Sequence, residues 1–188
     1  MRDTFAGRRA APAPERYDVG AIAFHWTVAA LILFLGALGL LFDDIPREAR
    51  PFWINVHGTV GLVYFALVVA RLSWRATHKA PDLPADIGEF TRRTSSAAHR
   101  LLYVLMLAIP VLGVVAYVWR GWAFDYGLFR LNFGVASNRS VYRPAQEIHQ
   151  LLAYALFAVA AFHGAGALWH HYIRRDGVLM RMMPGRVG

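Results

Sequence analysis

The stretch IHQLLAYALFAVAAFHGAGALWHHY, residues 148–172, contains no Lys, Arg, Asp or Glu. As a helix rising 1.5 Å per residue it spans about 37 Å, enough to cross a hydrocarbon core of about 30 Å. It also carries two histidines, His149 and His163, fourteen residues apart. Fourteen residues are two heptads, so in a left-handed bundle both side chains face one interior groove, about 21 Å apart along the axis. The length of this run sets the fold class, and its histidines set the chemistry to look for.

Three further apolar runs precede it. Residues 22–42 carry no charge, residues 52–74 carry only Arg71, and residues 97–119 carry only Arg100. Each is long enough to span a bilayer. Lipid offers no partner to backbone amides, so each run is expected to be helical. The first run is too long for the apolar region of a secretory signal, and no A-x-A-like site follows it. The expected fold is an all-α membrane protein, a four-transmembrane-helix bundle. Composition agrees. The 188 residues are 57% hydrophobic and only 17% charged, with a mean hydropathy of +0.36. Such a chain is not disordered, and it has too few charges to cover a soluble globule. With no cysteine, disulfide frameworks, thiolate-held iron–sulfur clusters, Cys-based zinc sites and covalent haem attachment are excluded.

The net charge of +8 is distributed by topology. One side would carry Arg2, Arg8, Arg9, Arg16, Arg71, Arg75, Lys79, Arg92, Arg93, Arg100, Arg174, Arg175, Arg181 and Arg186, and the other Arg47, Arg50, Arg120, Arg130, Arg139 and Arg143. The positive-inside rule then puts both termini of this multi-pass protein in the cytoplasm. Tyr17, Trp53, Trp74, Trp119, Trp122 and Tyr172 sit at the run ends as an interfacial belt does. Residues 1–16 read as a flexible basic tail, 17–175 as the transmembrane domain and 176–188 as a C-terminal cytoplasmic tail. The third connection, roughly 120–147, is the longest and lies outside. Pro110 is expected to kink the third helix. Basic residues spread over loops in this way form no groove for nucleic acid.

Two more intramembrane histidines complete a pattern. His25 begins the first run on the cytoplasmic side, at the depth of His163, and His57 begins the second on the outer side, at the depth of His149. Two cross-bundle pairs follow, His25 with His163 and His57 with His149. A neutral histidine in a membrane helix often makes an interhelical hydrogen bond and nothing more. Paired imidazoles at two depths also suit axial ligation of six-coordinate haem iron. Without cysteine such haem is b-type. Zinc takes three or four protein ligands at one site, and two per depth falls short. Gly58, Gly61, Gly164 and Gly166 leave room for a macrocycle or for helix packing. Arg71 lies fourteen residues after His57, at the cytoplasmic depth, where its fork suits a haem propionate or a lipid phosphate. His170, seven residues past His163, is the rival cytoplasmic ligand. His99 and Arg100 suit either a quinone carbonyl or a plain interfacial position, and the latter weighs more.

The sequence resembles the prokaryotic cytochrome b561 family from about Tyr17 to Pro184. The likeness rests on YDVGAIAFHW (17–26), INVHG (54–58) with Arg71, AHRLLY (98–103) with IPVLG (109–113), EIH (147–149), His163, and LWHHY (168–172) with LMRMMP (179–184). The resemblance implies two haem b groups with His25, His57, His149 and His163 as axial ligands, and electron exchange with membrane quinone. It further implies oxidation of superoxide at the outer face, with ubiquinone as acceptor. Arg120, Arg130, Arg139 and Arg143 outnumber Asp125 and Glu147 in the long outer connection, which favours approach of a small anion. Asp43, Asp44 and Glu48 outnumber Arg47 and Arg50 in the first connection, however, so the outer face as a whole steers only weakly. The competing reading is a haem-bearing membrane anchor that passes electrons between the quinone pool and a redox partner subunit such as a dehydrogenase or hydrogenase. A small transporter is disfavoured by the lack of inverted repeats and of paired acidic residues at mid-membrane depth.

Overall fold

The computed structural model describes residues 16–82 and 87–185. Arg2, Arg8, Arg9 and Arg186, counted above for orientation, lie outside the described residues. Four helices dominate: α1 (Val19–Leu41), α2 (Arg50–Thr77), α3 (Glu89–Trp119) and α4 (Arg139–Trp169). All four are long and apolar enough to cross a membrane. They run up and down, with α1 against α2, α2 against α3 and α3 against α4. Large apolar side chains on their outer faces, such as Leu33, Val63, Val104, Val111, Leu151 and Phe162, are exposed. In water such a surface would aggregate; in a bilayer it is the lipid contact.

The helices begin where local chemistry satisfies their free amides. The Asp18 carboxylate caps α1 by accepting from the Ala21 amide at 2.9 Å, and it also accepts from the Trp74 indole on α2 at 2.9 Å. Asn138 caps α4 by accepting from the Ser140 amide at 3.1 Å. Both long helices extend beyond the apolar runs that announced them. α3 starts at Glu89 and α4 at Arg139, with i,i+4 ion pairs Glu89–Arg93 and Arg143–Glu147 on the polar turns. The third connection is accordingly shorter than expected, residues 120–138. It holds a small antiparallel hairpin, β1 (Phe124–Asp125) with β2 (Arg130–Leu131). α3 continues through Pro110, where the ring removes the amide that would have bonded the Met106 carbonyl.

The core lies at mid-depth. Val28, Tyr64, Val68, Leu105, Met106, Ile109 and Leu156 are buried there together. Tyr64 is seven residues from both His57 and Arg71, and Leu156 is seven from both His149 and His163. The heptad seams that carry the polar residues toward the bundle ends thus fill with apolar contacts between them. Near the same level Phe157 of α4 packs so closely on Gly36 of α1 that any side chain there would collide with its ring.

At the end bearing the chain termini, α4 passes into a π-helical turn (His170–Arg174) and a left-handed Arg175. Residues 176–185 then fold back beneath α1. The Trp26 indole donates to the Met182 carbonyl at 2.7 Å, and the Tyr17 amide to the Arg181 carbonyl at 3.2 Å. Arg16 donates to the Met183 and Gly185 carbonyls. Arg181, 4% exposed, donates to the Asp82 carbonyl at 2.7 Å.

Candidate functional site

Each end of the bundle holds a pair of imidazoles. At the hairpin end, α2 presents His57 to His149 of α4, with ring centres 6.3 Å apart and planes at 67°. At the terminal end, α1 presents His25 to His163 of α4, with ring centres again 6.3 Å apart and planes at 68°. No hydrogen bond joins either pair. Two imidazoles that each place a nitrogen about 2 Å from one metal ion, on opposite sides of it, have ring centres roughly 6 Å apart. The two separations match that arrangement and match each other. Among the described residues no cluster of three or more His, Cys, Asp or Glu side chains is disposed to hold a metal, so two-imidazole sites are what the donor set provides.

The surroundings fit a large bound group. The His57 Nδ1, Thr59 Oγ1 and Tyr64 Oη, all on α2, are buried without a hydrogen-bond partner. Buried polar atoms are normally satisfied. Side chains at Gly61, Gly164 and Gly166 would meet nothing within 4 Å. Gly58 differs from the other three: a side chain there would strike Phe124 at 2.8 Å, so it serves the protein's own packing.

The hairpin end is closed by the root of the hairpin. Phe124, 1% exposed, stacks on Tyr117 with ring centres 4.3 Å apart. Asn55 on α2 grips the same root, donating to the Asp125 carbonyl at 2.6 Å and accepting its amide at 3.0 Å. Tyr117 donates to the Ala123 carbonyl at 3.0 Å. Beyond this root the hairpin is exposed, Leu128 at its tip fully so. Arg120 is held over Trp122 and Tyr142 and donates to Gln146 at 3.0 Å. Arg143 pairs with Glu147, the carboxylate already set against the arginines in the sequence count.

The terminal end is more cationic. Arg71 donates to His25 Nδ1 at 3.1 Å and lies over the Tyr103 ring. His99, placed at the interface by sequence reasoning, has its ring centre 5.0 Å from that of His163 and its Nδ1 2.8 Å from the Ser95 carbonyl. It therefore belongs beside this pair, brought to His163 by the packing of α3 on α4. His170 does not join the pair: its Nδ1 lies 2.5 Å from Asp176 Oδ2. Gly113 closes the IPVLG motif quoted above, but sequence reasoning gave it no role; a side-chain carbon there would crowd the His149 ring at 3.1 Å.

The sequence matches the prokaryotic cytochrome b561 family over residues 16–185. It is 26% identical over 180 residues to the probable superoxide oxidase CybB of Yersinia pestis, covering 93% of this chain and 99% of that protein. It is 29% identical over 177 residues to cytochrome b561 homolog 2 of Escherichia coli strain K12, covering 90% and 92%. Cytochrome b562 of Cereibacter sphaeroides is 29% identical over 171 residues, covering 88% and 93%.

Proposed function

The chain belongs to the prokaryotic cytochrome b561 family of electron-transferring membrane proteins, and from that premise we propose that it carries two haem b groups and moves single electrons from an outer-face donor to ubiquinone. His57 and His149 hold one group, and His25 and His163 the other. The observation that carries this reading is the recurrence of one pair geometry, 6.3 Å and nearly the same interplanar angle, at both ends of the bundle. When bound, the haems supply one-electron relay points at two depths.

The chain's own residues do the rest. Two imidazoles per iron leave no open position, so the site favours electron transfer over oxygen binding. Val28, Tyr64 and Leu156 separate the two pairs with dry, packed side chains. Phe124 and Asn55 close the hairpin end beside His57, and Arg71 supplies a cation for a propionate at the terminal end. His99, with Nδ1 engaged by its own helix, is placed to exchange a proton near the terminal-end pair. The distribution of Lys and Arg supports a cytoplasmic terminal end and an outer hairpin end.

Superoxide is the proposed donor, supported by the relative named as a probable superoxide oxidase. Two superoxide anions each give up one electron and leave as dioxygen; one ubiquinone takes both electrons and two protons to become ubiquinol. The test is spectroscopic. Superoxide generated enzymatically should reduce the purified protein's α-band, and ubiquinone should reoxidise it. An oxidised spectrum untouched by superoxide rejects that donor. A reduced spectrum untouched by ubiquinone rejects that acceptor.

A further inference from the structure

In α3, Gly113 stands one turn beyond Ile109, and the His149 ring of α4 lies against both. His149 Nδ1 is 2.8 Å from the Ile109 carbonyl oxygen. A carbonyl only accepts, so Nδ1 must carry the proton. A neutral imidazole so bonded keeps its Nε2 lone pair, the one a metal takes. A side-chain carbon at residue 113 would sit 3.1 Å from both Nδ1 and Cε1 of His149, inside the ~3.5–4.0 Å at which such atoms rest in contact. Any other residue there would push the ring back from α3 by a few tenths of an ångström, away from the carbonyl. The opposing ring has no such support: His57 Nδ1 is buried and without a partner.

We infer that Gly113 is a positioning residue for the hairpin-end metal site. With the Ile109 carbonyl it fixes His149 as the Nδ1–H tautomer, leaving Nε2 for iron and making His149 the oriented ligand of an unequal pair. This rests on the haem reading given above. A ligand imidazole that donates its second N–H to a carbonyl is more basic. A more basic ligand favours the oxidised metal, so the contact lowers the reduction potential of that haem.

The test is Gly113→Ala in the haem-loaded protein. The alanine favours the helix, so its effect falls on the ring. The expected result is two haems per chain, a positive shift in the midpoint potential of one, and a changed low-spin electron paramagnetic resonance signal for that one alone. Unaltered potentials and signals overturn the inference. A second measurement uses the wild-type protein, 15N-histidine-labelled and reduced to the diamagnetic state. The His149 Nδ1 proton should resonate downfield of the His57 one, as expected for a carbonyl-bound proton, and equal or reversed positions overturn the inference even if the variant fails to accumulate. Failure of the haem reading itself shows separately, as a His149→Ala variant that keeps both haems.

Discussion

The Arg71 guanidinium donates to Nδ1 of His25 across 3.1 Å, joining α2 to α1 at the terminal end of the bundle. Arginine only donates, so it holds Nδ1 as the acceptor, whereas a histidine bound to metal through Nε2 carries its proton on Nδ1. The contact and ligation through Nε2 are therefore alternatives, and with His25 as a ligand the guanidinium would be free to meet a propionate instead. A fixed positive charge beside the group favours its reduction by about 1–2 kcal/mol at the effective dielectric of a protein. Arg71→Leu should lower the potential of one haem and leave the other in place, while Arg71→Lys restores most of the difference. Potentiometric titration of the two variants measures it; an Arg71→Leu protein with both potentials unchanged contradicts the placement.

Asn55 ties α2 to the hairpin root through two backbone bonds to Asp125. Asn55→Ala should cost about 1–3 kcal/mol, since it leaves peptide groups of the root without their partner. Phe124→Ala should cost more, about 3–5 kcal/mol, because Phe124 fills the space over Gly58. Thermal unfolding in detergent should rank wild type above Asn55→Ala and that above Phe124→Ala. The reverse order would mean that the hairpin root is not anchored as described.

The buried Arg181 ties residues 176–185 to the α2–α3 connection through the Asp82 carbonyl and lies over the Tyr17 ring just before α1. Arg181→Ala should cost about 1.5–3 kcal/mol, the range for a hydrogen bond from a charged donor, and loosen this segment. Trypsin should then cleave faster after Arg174 and Arg175, seen by mass spectrometry, while the helices stay intact. Equal cleavage rates would show that Arg181 is not what holds the segment.

Much of this arrangement was legible in the sequence, and for identifiable reasons. Apolar length alone forces helices in lipid, so the four spans needed no tertiary information. The fourteen-residue spacing of His149 and His163 placed both on one seam, and the up-down order then fixed their partners. The polar turns Glu89–Ser96 and Arg139–Glu147 were read as connections because helix extension outside the membrane rests on caps and ion pairs, which leave no hydrophobic signature. His99 and Gly113 act through neighbours on other helices. Their roles follow from crossing geometry, which spacing along one chain does not specify.

The Asp18 carboxyl is held below its ordinary 3.8, chiefly by the Ala21 amide that it caps; burial opposes this, and the Trp74 indole adds to the lowering. A lowered carboxyl stabilises the fold fully above its unfolded value, and that contribution disappears as the pH falls through the folded value. Wild type should therefore lose melting temperature as the pH falls below about 4, in part through this group. Asp18→Asn keeps a capping oxygen and should show a shallower acid slope. Identical slopes would remove Asp18 from the account.

The central claim is that two histidine pairs hold two haems. A dithionite-reduced minus oxidised spectrum of the purified protein, with haem counted against protein, tests it most directly when repeated for His25→Ala, His57→Ala, His149→Ala and His163→Ala. The account predicts two low-spin b haems in the wild type and one in each variant, with the same haem lost from His25→Ala and His163→Ala, and the other from His57→Ala and His149→Ala. A folded wild type with fewer than two haems, or a variant that keeps both, would contradict it.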